Sequence, residues 1–376
     1  MELELIAVGD NLIHKEIFKS VRDSEGDYDF NPLYDPVRDA IQAADIRIVN
    51  QETVFTDKAS EYSSFPIFAT PVFVADSLVK AGFNVVTHAS NHAFDKKRRG
   101  LEVTWDYWKT HYPEIGVVGI SGSREESNKV YIIERNGFKV AILNYTEKLN
   151  GHFVPPKDRF RIARLRKSEK RRIQERIAEA RALADIVVVC PHWGCEYLYE
   201  PIRSQREWAA FFAQCGVDLV IGTHPHVVQP METVTRADGK PMLVYYSLGN
   251  FISCQVKAGT ALGGFAHVVF EKDEQGVRLK EYGLKPLITH ADEGFRNFRT
   301  YFLRDYTEAL AGENQIFKTV SRLRGIEMSK ASQERLFQDI ISYKAQAYNE
   351  YKTPHDVTMA NIKSVFNFLI GKNIKK

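Results

Sequence analysis

The segment DLVIGTHPH, residues 218–226, joins a short apolar run to two histidines. Short runs rich in valine and isoleucine, without polar alternation, predict strands buried on both faces of an α/β sheet. Proline cannot continue a strand's hydrogen bonding and favours an extended conformation for the residue before it, His224. Side chains at positions i and i+2 of an extended segment point the same way, so we expect His224 and His226 to face one site.

Four other apolar runs end in the same manner. Residues 3–8 run into Gly9-Asp10, 45–49 into Asn50-Gln51-Glu52, 83–87 into Ser90-Asn91-His92, and 185–189 into Pro191-His192-Trp193-Gly194. Ligands of open α/β sheets bind beyond the carboxyl ends of the strands. The five runs therefore predict one convergent polar site, and its residue types indicate a metal centre.

The predicted metal ligands mix imidazole nitrogen with hard oxygen donors and include no thiolate. They are Asp10, Glu52, Asn91, His192, His224 and His226. This donor set suits Mn²⁺, Fe or Zn²⁺ and disfavours Ca²⁺. Carboxylates are expected because His and Asn alone would leave a divalent ion uncompensated. The alternatives are that Asp10 or Asn91 caps a following helix and that Glu52 is an ordinary loop residue.

Proton transfer is predicted for His92, because the unperturbed pKa of an imidazole lies near working pH. Asp95 lies three residues further on, where its carboxylate can orient the imidazole. The loop after residue 192 also contains Trp193 and Glu196, which we expect to line a substrate pocket. Plain packing is an equal alternative for Trp193.

The composition is that of a globular protein: 376 residues, 44% hydrophobic and 26% charged. A formal net charge of +3 gives no electrostatic reason to expect nucleic acid as a partner. Without a leader or an apolar run of about eighteen residues, we expect no membrane span and a cytoplasmic location. The alternative is an extracytoplasmic domain trimmed of its leader or anchor. The basic stretch 159–176 is predicted to form the solvent-exposed face of a helix. The alternative is that it binds a polyanion.

Strand-then-helix units over residues 1–120 predict a largely parallel sheet, with helices over residues 36–44, 74–81 and 100–112. Three hairpins predict a second, mixed or antiparallel sheet: 130–135 with 138–144, 232–236 with 240–247, and 266–271 with 277–287. Two packed sheets flanked by helices make a four-layer α/β sandwich. After residue 295 we predict helices over 296–312, 314–324, 332–351 and 357–369. The predicted organisation is a domain over residues 1–290 and a helical extension over 291–376.

Six motifs, in order, resemble those of the CapA family. They are Gly9-Asp10, Asn50-Gln51-Glu52, Ser90-Asn91-His92-Ala93-Phe94-Asp95, His192-Trp193-Gly194-x-Glu196-Tyr197, Gly222-x-His224-Pro225-His226-Val227-Val228-Gln229-Pro230 and Tyr246-Ser247-Leu248-Gly249-Asn250-Phe251. CapA proteins are bacterial capsule or poly-γ-glutamate synthesis proteins related to calcineurin-like metallophosphoesterases. The resemblance covers residues 3 to about 290.

This resemblance implies an αββα metallophosphoesterase sandwich with its metal centre between the sheets. In it, Glu52 would bridge two ions and His92 would protonate the leaving group of a phosphoester. One ion would be held by Asn91, His192 and His224, the other by Asp10 and His226. Tyr246 and Asn250, from the last motif, would join the substrate pocket.

Two departures from the wider superfamily leave the number of ions open between one and two. The superfamily begins with Asp-x-His, whereas this chain has Asp10-Asn11-Leu12; His14 is a candidate substitute. Its second motif is Gly-Asp-x-x-Asp, whereas a longer carboxylate, Glu52, stands in this chain.

Three functions follow from these expectations. The first is a metal-dependent hydrolase in the synthesis of capsule, poly-γ-glutamate or another envelope polymer. The second is a non-hydrolytic accessory protein that binds an anionic polymer beside capsule-synthesis partners, and the third is a cytoplasmic hydrolase of nucleotides or sugar phosphates. Substrate identity is expected to depend on the loops 28–35, 55–71 and 151–161, since fold alone does not decide it.

Overall fold

The computed structural model of the protein describes residues 1–342. Within them the strands are β1 (Glu2–Asn11), β2 (Ile46–Gln51), β3 (Phe55–Thr56), β4 (Thr70–Pro71), β5 (Val85–Thr87), β6 (Gly116–Val118), β7 (Tyr131–Arg135), β8 (Phe138–Thr146), β9 (Ile186–His192), β10 (Leu219–Ile221), β11 (Met231–Thr235), β12 (Pro241–Tyr245), β13 (Asn250–Ile252), β14 (Leu262–Asp273), β15 (Gly276–Asp292) and β16 (Arg296–Phe302). The α-helices are α1 (Lys15–Ser20), α2 (Arg38–Gln42), α3 (Val74–Ala81), α4 (Lys97–His111), α5 (Arg124–Ser127), α6 (Lys170–Leu183), α7 (Arg203–Gln214), α8 (Glu308–Glu313), α9 (Gln315–Arg324) and α10 (Lys330–Ile341). None of the helices in this part of the chain is long and apolar enough to cross a membrane.

The strands form two large sheets. The first has the order β16-β15-β14-β1-β2-β5-β6, with β13 added beside β1, and the second has the order β11-β12-β10-β9-β8-β7. In the first sheet β1, β2, β5 and β6 are parallel, as the strand-then-helix pattern predicted. In the second sheet β8, β9, β10 and β12 are parallel. The five chemically distinctive strand ends are thus divided between two sheets.

The buried strands distribute their side chains between two apolar layers. In β1, Leu5 and Ala7 pack between the sheets, against residues such as Val188 of β9. Ile6 and Val8 lie on the opposite face, in the cluster that contains residues of α3 and α4. The outer face of the second sheet packs in the same manner against α6 and α7. The order of layers is therefore helix, sheet, sheet, helix, which confirms the predicted four-layer sandwich.

The three predicted hairpins all form, but one of them lies in the other sheet. The pairs β7–β8 and β11–β12 belong to the second sheet, as predicted. The third pair, β14–β15, belongs to the first sheet, because β14 pairs antiparallel with most of β1, from Glu2 opposite Glu271 to Val8 opposite Phe265. The prediction of its sheet was wrong because a hairpin signal is local and contains no information about the partner strand.

The predicted helix over residues 296–312 is also wrong at its beginning. Residues 296–302 form β16, which pairs with β15, and a helix begins only at α8. Phe298, Thr300 and Phe302 are buried at every second position, which is the period of a strand. The 314–324 helix is confirmed as α9, and the 332–351 helix begins as α10. The rest of that helix and the predicted helix over 357–369 lie outside the described residues.

The extension predicted from residue 291 therefore begins with a strand of the first sheet. Residues 1–341 form one compact unit, and Phe317 of α9 and Phe337 of α10 lie in the same buried cluster as the strands of that sheet.

Gly9, directly before Asp10, lies where the backbone of β1 comes very close to the residue that precedes β13. A side chain at this position has no room. A Cβ atom built on Gly9 would lie 1.9 Å from the backbone oxygen of Gly249, and the Asp10 N–H donates to that same oxygen at 2.9 Å. Gly9→Ala is therefore expected to lower the free energy of unfolding by about 1–3 kcal/mol or more, because backbone must move. Urea unfolding of the variant measures this change.

The matched control is Gly312→Ala in α8, where an added Cβ meets nothing within 4 Å. That change is expected to stabilise the protein by roughly 0.5–1 kcal/mol, the usual preference for Ala over Gly in a helix. Equal stability of the two variants would contradict the close approach at Gly9.

Candidate metal centre

The six predicted ligand residues meet between the two sheets, at the carboxyl ends of their strands. Asp10 is the penultimate residue of β1 and Glu52 follows β2 of the first sheet, whereas His192 ends β9 and His224 follows β10 of the second. A single bridge between His192 and Thr223 holds the last two segments side by side. All six ligand side chains are buried. The sheets therefore bring residues far apart in sequence into one polar cluster, as the strand ends predicted.

The ligand atoms form two groups that share Glu52. One group is Glu52, His192 and His224, and the other is Asp10, Glu52 and His226; in each, the atoms lie within 4.8 Å of one another. His192 Nε2 lies 3.8 Å from Glu52 Oε1, and His226 Nδ1 lies 3.8 Å from Glu52 Oε2. The two oxygens of one carboxylate thus face two different sets of donors.

Asn91 adds an oxygen donor to the group that contains His192. Its Oδ1 lies 2.8 Å from His192 Nε2, while the other ring nitrogen, Nδ1, is 2.9 Å from the Thr223 hydroxyl. A hydrogen bond at one imidazole nitrogen fixes the ring and directs the other nitrogen to a metal. Thr223 therefore orients His192 so that Nε2 points towards Asn91 and Glu52.

The buried atoms of this cluster lack partners that a cation would supply. Among the described residues, both carboxylate oxygens of Glu52 and both ring nitrogens of His224 form no hydrogen bond. Buried polar groups are almost always satisfied, because leaving them unsatisfied costs free energy. Nitrogen and carboxylate oxygen are the donors that Mn²⁺, Fe and Zn²⁺ accept. The residues present therefore fit a divalent transition metal.

The pKa values of the histidines are shifted in opposite directions in the two ligand groups. Burial lowers the pKa of His192 to about 3 and the pKa of His224 well below its ordinary value, so both imidazoles are neutral, as ligation requires. Burial alone would also lower the pKa of His226, but the carboxylates of Glu52 and Asp10 outweigh it and raise that pKa to about 10. Burial raises the pKa of Glu52 well above its ordinary range. Without metal, the charge of the Asp10 group is thus balanced by a protonated His226.

The backbone of the two histidines after β10 differs from the prediction. His224 and His226 have φ values of 100° and 59°, so the predicted extended backbone is wrong, although both imidazoles lie in the one cluster. Such conformations cost about 1–3 kcal/mol each in a non-glycine residue and concentrate at functional sites. The His224 N–H points to Asp10 Oδ2 at 3.3 Å, and Pro225 accepts a hydrogen bond from the Tyr197 N–H at 2.8 Å. This tight turn directs the two imidazoles to different groups.

His92 lies beside the cluster and is held by Asp95. Its Nδ1 is 2.6 Å from Asp95 Oδ2, which also accepts the Phe68 N–H at 2.7 Å. The Phe68 ring packs against the imidazole edge to face, with 4.6 Å between ring centroids. Within residues 1–342, Nε2 of His92 forms no hydrogen bond, so this nitrogen is available to a substrate.

The residues predicted to line a substrate pocket mostly have other positions. Trp193 and Tyr246 are fully buried on the helix side of the second sheet, where their rings stack, and the Trp193 indole donates to the Tyr246 carbonyl. Asn250 is buried with its Oδ1 3.1 Å from His226 Nδ1 and therefore positions that ligand. Glu196 is partly exposed, and its charge acts on both Glu52 and His226. Of the four, Glu196 alone is partly exposed.

Several residues that the sequence prediction missed complete the site. Asn50 donates to Asp10 Oδ1 at 2.8 Å and accepts the Thr87 hydroxyl at 2.9 Å. Asn50 belongs to a strand-end motif, so the same signal could have found it. Asn150 contacts both Asn91 and His92, and His152 lies 3.4 Å from Asp95. No motif precedes these two residues, and they come to the site only through the fold.

The capping roles considered for Asp10 and Asn91 do not occur. The strand β1 continues through Asn11, and α1 has His14 as its N-cap, so Asp10 caps no helix. The helix after Asn91 begins at Lys97, too far along the chain to be capped by it. His14 lies outside both ligand groups, and its Nδ1 accepts the Cys254 N–H at 3.2 Å. It therefore does not replace the missing histidine of the superfamily motif.

Fold and site together define a two-sheet α/β protein with a buried centre of histidines and carboxylates. The chain belongs to the family described as Bacterial capsule synthesis protein PGA_cap, whose model matches residues 4–255. The chain is 31% identical over 171 residues to the PGA biosynthesis protein CapA of Bacillus subtilis (strain 168). It is 28% identical over 174 residues to the capsule biosynthesis protein CapA of Bacillus anthracis. These matches cover 45% and 46% of this chain and 42% and 41% of the relatives, so less than half of each relative is matched.

Solved structures also show similarity. Haemophilus influenzae NAD nucleotidase matches with a TM-score of 0.46 and 12% identity, over 90% of this chain and 67% of that one. The calcineurin-like phosphoesterase YfkN from Bacillus subtilis matches with a TM-score of 0.36 and 12% identity, over 76% of this chain and 90% of that one.

Proposed function

We propose that this protein is a metal-dependent hydrolase that cleaves a phosphoester, or a related bond in an anionic cell-envelope polymer, during capsule synthesis. The observation that carries the proposal is the shared carboxylate of Glu52. Its two oxygens face separate sets of donors, and neither has a hydrogen bond among the described residues. A buried carboxylate without partners is costly, and a cation on each side offsets that cost.

The metal would be held by the two groups described above. Asn91, His192 and His224 would bind on one side of Glu52, and Asp10 and His226 on the other. A divalent ion bound there supplies a lowered pKa for its water and polarises a phosphoryl oxygen. Asn50 and Thr223 keep Asp10 and His192 in place for this task.

The protein's own contribution to bond cleavage is the proton of His92. Asp95 accepts a hydrogen bond from Nδ1, which leaves Nε2 to donate to the oxygen of the leaving group. Phe68 covers the ring and limits its rotation. A site that merely binds a polymer has no need of an oriented proton donor, so this pair favours hydrolysis over an accessory role.

The second candidate is a non-hydrolytic protein that binds a carboxylate-rich chain. It is favoured by the relative named for PGA biosynthesis, because poly-γ-glutamate contains no phosphate. The same metal centre would then bind polymer carboxylates, and His92 would have no kinetic role. Nucleotides and sugar phosphates, the substrates of the third predicted function, are to be tested in the same hydrolysis assays.

His92→Asn tests the difference. In protein loaded with Mn²⁺, hydrolysis of aryl phosphomonoesters and phosphodiesters is expected to fall about 10²–10⁴-fold, the usual contribution of a general acid. The bound metal, measured by elemental analysis, is expected to stay unchanged because His92 is in neither ligand group.

The control variant is His111→Asn, which changes an exposed histidine near the end of α4 and is expected to keep full activity. If the metal-loaded protein hydrolyses neither the aryl phosphoesters nor the phosphorylated small molecules, the hydrolase proposal is wrong. The non-hydrolytic accessory function is then preferred.

A further inference from the structure

A second cavity, separate from the metal centre, lies at the edge of the two sheets. Its volume is about 420 Å³, and it is lined by residues of β6 in the first sheet and of β7 and β8 in the second. The segment 159–164 and one face of α6 complete the wall. None of the six proposed metal ligands lines it. A ligand in this cavity would therefore not contact the metal centre.

Basic side chains outnumber acidic ones in the lining of this cavity. Six of them face two acidic ones, Glu126 and Glu169. Two of the six are paired: Lys129 with Glu126, at 2.7 Å, and Arg176 with Glu179, at 2.8 Å. The other four form no ion pair within residues 1–342, and they are Lys109, Arg159, Arg164 and Arg172.

Two of these unpaired cations are partly withdrawn from water. The Lys109 ammonium lies over the Trp105 ring, 5.0 Å from its centroid, and burial lowers its pKa. The Arg164 guanidinium donates to the carbonyls of Thr146 and Glu147, and burial lowers its pKa to about 10. A cation partly removed from water without a counter-charge is unfavourable, and an anion bound beside it offsets that cost.

We propose that this cavity binds a small anion carrying at least two carboxylate or phosphate groups. Its volume is in the range of small-molecule sites, which are typically about 300–1,000 Å³. Guanidinium groups bind both kinds of oxyanion, and the side chains of Trp105, Phe160 and Ile142 give the ligand an apolar wall.

The sequence of the basic stretch 159–176 is compatible with a solvated helix face and with a clamp for polyanions. The cavity accounts for part of this stretch. Arg171 is exposed, paired with Glu175 at 2.9 Å, and absent from the lining, so it fits the solvated helix face. Arg159, Arg164 and Arg172 belong instead to the cavity. Some basic residues of this stretch therefore lie on the solvated helix face, and others line the cavity.

The test uses the full chain, freed of metal, and the tryptophan fluorescence of the protein, to which Trp105 in the cavity wall contributes. Citrate and pyrophosphate are titrated separately, and calorimetry gives the stoichiometry. We expect one site per chain with a dissociation constant below about 1 mM for at least one of the two probes. Saturation by citrate alone identifies a carboxylate ligand, by pyrophosphate alone a phosphate ligand, and by both a general oxyanion site.

Arg172→Gln and Lys109→Gln are each expected to weaken binding about tenfold, since each removes one charge-assisted contact. Arg171→Gln, one residue away on the same helix, is the matched control and is expected to change nothing. Asp10→Asn at the metal centre is likewise expected to leave this binding intact, which separates it from the proposed hydrolase site. Absence of binding for both probes, or equal weakening by Arg171→Gln and Arg172→Gln, would overturn the proposal.

Discussion

Replacing Glu52 with glutamine is expected to empty both metal positions and to reduce hydrolysis to the background rate. Glu52 is the member common to both ligand groups, and its oxygens lie 3.8 Å from His192 Nε2 and from His226 Nδ1. Glutamine has the same shape but no charge, and its amide nitrogen cannot bind a cation. Elemental analysis after dialysis into Mn²⁺ measures the metal, and phosphodiester hydrolysis measures the activity.

The same substitution is expected to stabilise the metal-free protein. Both oxygens of Glu52 are buried and without hydrogen bonds in the described part of the chain, and burial raises the pKa of this carboxyl. Exchanging an unsatisfied buried carboxylate for a neutral amide is expected to raise the free energy of unfolding by about 1–3 kcal/mol. Urea unfolding of metal-free protein measures this gain.

Asp158→Asn is the control for that gain. Asp158 is also a buried carboxylate, but it is paired with Arg161 at 3.4 Å and with Arg98 at 3.9 Å. Its replacement is expected to destabilise the protein. If Glu52→Gln destabilises the metal-free protein as Asp158→Asn does, then Glu52 has partners other than a metal and the binuclear arrangement loses its main support.

The strand ends made the clustering of the ligand side chains predictable from sequence. Runs such as residues 186–189 are apolar at every position, which is the pattern of a strand buried on both faces, and the next polar residue, His192, must then lie at the sheet edge. The same argument applies to Asp10, Glu52 and His224. The strand ends do not identify the partner of each strand. They also do not predict Asn150 and His152, because these residues end no strand and reach the cluster only through the folding of the sandwich.

The errors in the predicted pocket have a local cause. His192 and Trp193 are neighbours in an extended segment, and adjacent side chains of such a segment point to opposite faces. His192 faces the space between the sheets, so Trp193 must face the helices, where it packs on Phe212. The alternation of side chains along the segment therefore predicts the position of Trp193 from the sequence alone. The left-handed backbone of His224 is not predictable in this way, because it depends on the contact of its N–H with Asp10.

Two ions per chain are expected in the native protein, and one in each of two single variants. Asp10→Asn removes a ligand of the group with His226, and His192→Asn removes a ligand of the group with His224. Each variant is expected to keep the ion of the other group, since Glu52 remains. Elemental analysis and Mn²⁺ titration measure these numbers.

The two ions are also expected to differ in affinity. The group with His192 gains the Asn91 oxygen, whereas the group with Asp10 has Leu12 where the superfamily has a histidine, and it contains a His226 that must lose a proton to bind. A chelator is therefore expected to remove the ion beside Asp10 first, and His192→Asn to cost more affinity than Asp10→Asn. His88→Gln, which changes a buried histidine bonded to Trp108 outside both groups, is expected to keep two ions. One ion in the native protein, lost in His192→Asn and kept in Asp10→Asn, would establish a single metal and leave Asp10 and His226 as an ion pair beside it.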